Sequence, residues 1–284
     1  MDICTGKSGH KLSSSAAGIK VRCVKLLTSL LTVSYLIGTF TSRFRWDEWQ
    51  TMVAAAEVAK GARIYVDIWD NHGPLLTLVL GAFIRFLDTQ NHTLLMFGGR
   101  LLMLAMLFIT LWLTGRLAFR ACPESPFAAP LAMLVLLCSS TFFVRGLEIR
   151  SDVPLLMVWT LCLLWLIRGI NEKRISHFLY AGLALGLGFA FSVKTLLLGA
   201  ASGVVILVAM VRRRKFSPGW LLALGLGVLP APLVMLLGLH TQGSLKAFLD
   251  SYFNQNFDRI AEPFLIGLNK AWGAEQLLMI SLAG

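Results

Sequence analysis

The chain has 284 residues, 56% of them hydrophobic and only 14% charged, a balance that no soluble core could absorb. With a mean hydropathy of +0.71 and several span-length apolar runs, it reads as an all-α polytopic membrane protein, a transmembrane helical bundle. The formal net charge of +11 points to membrane orientation and anionic lipid headgroups rather than to nucleic acid.

Residues 1–23 form a basic N-terminal tail. Lys7, Lys11, Lys20, Arg22 and Lys25 resemble the start of a signal peptide, but the run Val24 to Thr41 is span-length and has no small-x-small cleavage site. It reads as a retained first helix. A transmembrane module over 24–240 with about seven spans follows, its later runs at Thr93 to Thr114, Phe127 to Val144, Val153 to Ile167, Phe178 to Val193, Leu196 to Val211 and Trp220 to Leu239. Outer loops are expected over 42–92 and 241–275. Residues 276–284 open a further run in which the chain stops, as in a shortened product or a chain without its C-terminal half.

The run Pro74 to Leu87 is too short to cross, since a span needs roughly 20 residues. If it crossed, Arg116 and Arg120 would lie outside and Asp152 inside. If it lies in the interface, Arg116, Arg120, Arg168, Lys173, Arg174 and Arg212 to Lys215 join the N-terminal tail on one face. That face then carries a net +11, the charge of the whole chain, which obeys the positive-inside rule with a cytoplasmic N-terminus. Cys4, Cys23 and Cys122 fall inside and Cys138 and Cys162 within spans, so no disulfide framework or thiolate zinc site is expected.

The outer loop 42–92 is the informative segment. It is expected to open with an amphipathic helix, Trp46 to Lys60, whose Trp46, Trp49, Val53 and Ala56 share one face, suited to lying along the headgroup boundary. A polar-aromatic turn, Ile64 to Gly73, leads to Pro74 at the first position of a second short helix. Both are interfacial juxtamembrane helices. The acidic pair Asp47 and Glu48 lies just past the first span, where a carboxylate near lipid is costly and marks a functional position. Glu48, about 100° round the helix from Asp47, points elsewhere. Equally, both acids suit the first turn of a helix, and Asp152 before Val153-Pro154 suits a cap.

In order, Asp47-Glu48, then Tyr65-Val66-Asp67-Ile68-Trp69-Asp70-Asn71-His72-Gly73-Pro74-Leu75, then Gly99-Arg100-Leu101, then Glu148-Ile149-Arg150-Ser151-Asp152-Val153-Pro154 resemble the N-terminal module of the C-type (GT-C) membrane glycosyltransferases. The resemblance is to glycosyltransferase family 39, the protein O-mannosyltransferases and lipid A aminoarabinose transferases, over about Leu26 to Val211. It implies an integral multi-pass protein of a cell envelope, a bacterial inner (plasma) membrane, with its active site on the periplasmic or lumenal face. The donor would be a sugar on a polyprenyl phosphate, and the acceptor a lipid, glycan or protein hydroxyl, with inversion at the anomeric carbon. Asp47 matches the catalytic aspartate, Asp152 the aspartate before the fourth span, and Lys194 a basic residue that contacts the lipid-linked phosphate. His72-Gly73-Pro74 departs from the basic residue and Pro-Pro usual in that motif.

The chemistry asks for the same residue types. A hydroxyl attacking an anomeric carbon needs a base, and burial near lipid makes a carboxylate a better one. The departing phosphate brings its own charge and needs cations. Lys194 interrupts an apolar stretch at the outer level, as a phosphate contact or as a lysine snorkelling to headgroups. Arg100, after Gly98-Gly99, suits a phosphate or a structural ion pair. Glu48, Asp152, Glu148, Asp67, Asp70 and His72 suit acceptor contact. Asp67, Asp70 and His72 would also suit a divalent cation, though spacing alone makes no metal site and no other cofactor is indicated. The glycines of Gly182 to Gly188 have the rhythm of close helix packing, with no strand before them to make a nucleotide loop. A transporter or flippase, or a non-catalytic membrane scaffold, remains the alternative.

Overall fold

The structure, a computed structural model, describes residues 14–70, 72–89, 91–212 and 218–255. Among them there is no named strand; the elements are helices in the order α1 (Ser14–Thr41), α2 (Trp46–Ala59), α3 (Pro74–Leu87), α4 (His92–Ala121), α5 (Ala128–Cys138), α6 (Ser140–Gly146), α7 (Asp152–Glu172), α8 (Ile175–Phe191), α9 (Thr195–Arg212), α10 (Pro218–Val228), α11 (Pro230–Thr241) and α12 (Leu245–Leu249), followed by a π-helical turn over Asp250–Asn254. The expected run from residue 276 and the loop beyond 255 lie outside the described residues. α1 starts ten residues before the apolar run, inside the stretch read as a tail.

Val21–Thr41, His92–Ala121, Asp152–Glu172 and the pair α10–α11 are long and apolar enough to cross a membrane. The run Phe127 to Val144 is not straight: α5 and α6 meet at 71°, so it counts as a fifth crossing only as a broken span. Ser139 makes the break, its side chain accepting from Phe142 N–H at the start of α6. α8, the stretch Thr195–Val208 and α3 are shorter apolar helices.

Helices α4, α7, α8 and α10 pack in sequence, with α1 and α5 against α4. Small residues permit the closest approach. A Cβ at Gly182 would lie 2.2 Å from the Leu224 carbonyl and one at Gly227 2.2 Å from that of Leu179, so α8 and α10 touch backbone to backbone. The glycine rhythm read in the sequence is this contact.

The segment α2–α3 folds over one end of the bundle. Glu48 accepts from the Arg45 N–H at 2.9 Å and so starts α2, and Pro74 starts α3 where its missing N–H costs nothing. α3 packs on α2, and its Arg85 donates to the Ala59 and Val58 carbonyls at 2.6 and 2.9 Å, a cation closing the C-terminus of α2. Trp46, Trp49 and Val53 of α2 are exposed, while Met52 and Ala55 are buried against Leu80, Met96, Ile149 and Phe191. The apolar stripe of α2 therefore faces outward.

Cys23, Cys138 and Cys162 are free, whereas Cys122, just past the end of α4, is disulfide-bonded, a bond that the expectation of no disulfide framework did not include.

Candidate active site

One end of the bundle gathers the charges. The end of α1, the start of α2, the link between α6 and α7 and the junction of α8 with α9 meet there, joined by polar contacts between residues far apart in the chain. Arg150 pairs with Asp47 on α2, 103 residues away in sequence, and also reaches Glu148 at 3.4 Å and Asp152 at 3.5 Å. Asp152 in turn accepts from Lys194 at 2.6 Å. Asp47, Arg150, Asp152 and Lys194 thus form one chain of alternating charge. The sequence-stated candidates Asp47, Asp152 and Lys194 are brought together by Arg150, to which the sequence reading assigned no role. Its place between two acidic candidates, Glu148 and Asp152, was the available signal.

Beside this chain lies a cavity of about 340 Å³. Its walls are Asp47, Gln50 and Thr51 of α2, Trp69, Asp70 and His72 of the following turn, Thr77 of α3, and Arg150 with Ser151. Asp70 is buried and accepts from the His72 N–H at 2.9 Å, the His72 ring at 3.2 Å and the Thr77 hydroxyl at 2.9 Å. Asp70 thus lies inside and fixes the first turn of α3. Gly73 makes that position available. A Cβ there would stand 2.2 Å from the Ala190 carbonyl, and the Gly73 N–H donates to Phe191 at 3.1 Å, so the turn lies directly on the end of α8. Burial pushes the Tyr65 hydroxyl well above its ordinary range, the Asp70 charge adding to it, and the protonated phenol donates to the His72 carbonyl at 2.5 Å.

Four candidate residues, Glu48, Arg100, Glu148 and Asp67, are engaged away from the cavity. Glu48 and Arg100 were candidates for acceptor, metal or phosphate contact, but they are bound to each other, with side chains 0% and 1% exposed. Arg100 donates to both Glu48 oxygens, at 2.8 and 2.7 Å, and to the Thr39, Ser42 and Arg43 carbonyls, which occupies all five of its N–H groups. The structural ion pair is the reading that the geometry selects. Glu148 is likewise enclosed, 3% exposed among Arg45 at 3.0 Å, Arg145 at 3.1 Å and Arg150. Asp67 stands apart from the cavity, tied to Arg63; hydrogen bonds from the Arg63 side chain and backbone hold its carboxyl below the usual carboxylate range. Asp67, Asp70 and His72 therefore do not converge, and among the described residues no three His, Cys, Asp or Glu side chains form a metal-binding group.

The opposite end of the bundle is tied by Glu172, which meets Arg120 at 3.6 Å and His177 at 2.8 Å, with Arg116 and Arg168 on α4 and α7 and Lys173 and Arg174 in the link before α8. The cavity and the basic cluster therefore mark the two ends of one helical stack.

The multi-pass helical bundle, with carboxylates and cations gathered over a cavity at one end, agrees with the class that the family match shows, a membrane glycosyltransferase of the C type. Within that class the chain belongs to the dolichyl-phosphate-mannose-protein mannosyltransferase family, which it matches over residues 71–237. The match takes in His72, Arg100, Arg150, Asp152 and Lys194 and begins after Asp47. No curated protein and no solved structure matches the chain.

Proposed function

We propose that this protein transfers a sugar from a polyprenyl-phosphate donor to an acceptor hydroxyl in the cavity beside Asp47, on the non-cytoplasmic face of a bacterial inner membrane, with inversion. The observation that carries the reading is the Asp47–Arg150–Asp152–Lys194 charge chain beside that cavity: a carboxylate for the acceptor proton and cations for the leaving phosphate, supplied by three separate segments.

In the transfer, the acceptor oxygen forms a bond to the anomeric carbon as the bond from that carbon to the phosphate oxygen breaks. The hydroxyl proton passes to the Asp47 carboxylate, and the electron pair leaves on the phosphate. Arg150 orients Asp47, and Lys194 stabilises the charge that grows on the phosphate. Attack from the face opposite the leaving group inverts the centre.

An apolar groove of about 580 Å³ supports a lipid-borne donor. It begins at Pro74, next to the cavity lip, and runs between Leu78 of α3, Leu183 and Leu187 of α8 and Val234 of α11. An isoprenoid tail in this groove places its phosphate at the His72–Pro74 turn.

The test is transfer by membranes containing the full chain, measured with a panel of radiolabelled polyprenyl-phosphate sugars. Asp47→Asn is expected to abolish transfer while leaving membrane insertion intact; full activity in that variant removes Asp47 as the base.

A further inference from the structure

A second cavity, of about 480 Å³, lies on the flank of the bundle between α1, α4 and α5, away from the candidate active site. Thr32 of α1, Phe108, Trp112 and Phe119 of α4 and Met133 of α5 line it. The Thr32 hydroxyl is spent on the Thr28 carbonyl at 2.8 Å, so the wall is apolar over most of its length. Gly115 sets the depth of the groove, since a Cβ there would stand 3.0 Å from the Met133 sulfur. Trp112 and Phe119 are more than half exposed, which leaves the groove open along its side.

The groove has the length of one leaflet. From Phe108 to Phe119, α4 advances roughly 16 Å at about 1.5 Å per residue, and half of a hydrocarbon core about 30 Å thick is about 15 Å. Its Phe119 end is the basic end of the helical stack, where Arg120 meets Glu172.

That end carries unpaired cations. Arg116 lies on the groove wall with its guanidinium over the Trp112 ring, 5.3 Å from the centre. Stacking uses the face of the guanidinium and leaves its in-plane N–H donors free for a phosphate. Lys25 shares the face of α1 that carries Thr32 and lies about two turns nearer the basic end, because seven residues bring a helix almost back to its starting direction. Neither Arg116 nor Lys25 has a carboxylate partner among the described residues. The described carboxylates at this end are Glu124, in the link between α4 and α5, and Glu172, which is held by Arg120 and His177. An acyl chain in the groove therefore brings its headgroup phosphate between two cations. A zwitterionic headgroup would bring its own ammonium against the same cations, whereas an anionic one brings none.

We propose that the groove between α1, α4 and α5 binds one anionic glycerophospholipid, an acyl chain lying along Phe108 to Phe119 and the phosphate on Arg116 and Lys25. The lipid supplies a tie that the protein lacks at this end. At the other end, Arg100 of α4 donates to the Thr39 and Ser42 carbonyls and so holds α1. Here the phosphate joins Lys25 of α1 to Arg116 of α4. No residue of the sugar-transfer site takes part, so this inference stands or falls separately from that reading.

The experiment titrates the full chain, purified in a mild detergent, with phosphatidylglycerol or phosphatidylcholine of the same acyl chains and reads bound lipid by native mass spectrometry. One phosphatidylglycerol is expected to bind about 10-fold more tightly than phosphatidylcholine. Replacing both cations, Arg116→Gln with Lys25→Gln, should bring that ratio to about 1, whereas Lys173→Gln, which removes a charge from the same end in the link before α8, should leave it unchanged. Ala129→Trp on α5 fills the groove and keeps every charge, and should lower phosphatidylglycerol affinity by about 10-fold. Equal binding of the two lipids to the wild type, a preference that survives the double replacement or is lost in Lys173→Gln, or wild-type affinity in Ala129→Trp would each overturn the proposal. A dimer of the chain that Ala129→Trp dissociates would also overturn it, by assigning the groove to a second copy. If Ala129→Trp does not fold, the comparison of the double replacement with Lys173→Gln decides alone, since Arg116 and Lys25 are exposed.

Discussion

Arg100 and Glu48 form a closed pair: the guanidinium meets both carboxylate oxygens at 2.8 and 2.7 Å, and the other two acceptor positions of Glu48 take the backbone N–H groups of Arg45 at 2.9 Å and Ile149 at 3.3 Å. The guanidinium also lies over the Phe44 ring, 4.2 Å from its centre. Through this one pair, the end of α1, the start of α2, the middle of the α6–α7 link and α4 are tied to a common point. It also aims Asp47. With Glu48 anchored inward, the preceding residue is turned about 100° away, toward Arg150 and the cavity.

Removing one member of that pair leaves the other charged and buried. Arg100→Met is expected to destabilise the protein by about 3 to 5 kcal/mol, and a combined Arg100→Met and Glu48→Leu replacement by less than the single change. Unfolding in mixed micelles titrated with sodium dodecyl sulfate measures both. A double variant no more stable than the single one would show that the pair acts through its carbonyl contacts rather than its charges.

Lys194 and Arg150 should separate kinetically. Lys194 is exposed at the rim and, among the described residues, its amine pairs with Asp152, so Lys194→Gln is expected to raise KM for the donor by about 10-fold with a smaller change in kcat. Arg150 touches Asp47 itself, so Arg150→Met is expected to lower kcat by about 100-fold. Steady-state transfer rates over a range of donor concentrations resolve the two. Equal effects on KM and kcat in both variants would count against the division of roles.

Gly73 tests whether the turn must lie on α8. Gly73→Ala places a methyl group 2.2 Å from the Ala190 carbonyl, which only a shift of the backbone relieves, and is expected to cost about 1 to 3 kcal/mol and most of the donor affinity. Gly225→Ala of α10 is the control, since a Cβ there meets no heavy atom within 4 Å among the described residues. Donor binding unchanged in Gly73→Ala would show that the cavity tolerates a displaced turn.

Much of the scaffold was legible because span length and hydropathy are properties of a continuous stretch. The runs beginning at Thr93 and Val153 reappear as α4 and α7, which continue past Thr114 to Ala121 and past Ile167 to Glu172. Hydropathy gave no warning of the 71° break at Ser139, since a serine among apolar residues barely changes the average, whereas the run Trp220 to Leu239 reappears within one span-length stretch, Pro218–Thr241. The paired interfacial helices were legible from Pro74 and from the face shared by Trp46, Trp49 and Val53, and the observed α2 and α3 agree.

The candidate acids divide differently. Composition and charge placement alone determined that this is a helical membrane protein and that Asp47, Asp152 and Lys194 belong to the segments between its apolar runs, because lipid penalises charge wherever the chain crosses it. Which carboxylates remain available was decided only by tertiary structure. Asp47 and Glu48 are adjacent and chemically alike, yet Glu48 is consumed by Arg100 and Ile149 while Asp47 opens on the cavity, and Glu148 is consumed by three arginines while Asp152 reaches Lys194. Apart from Arg145 and Arg150, which neighbour Glu148 in sequence, the partners come from segments 42 to 103 residues away, and a charge's freedom depends on what those distant segments bring to it, which no local pattern records.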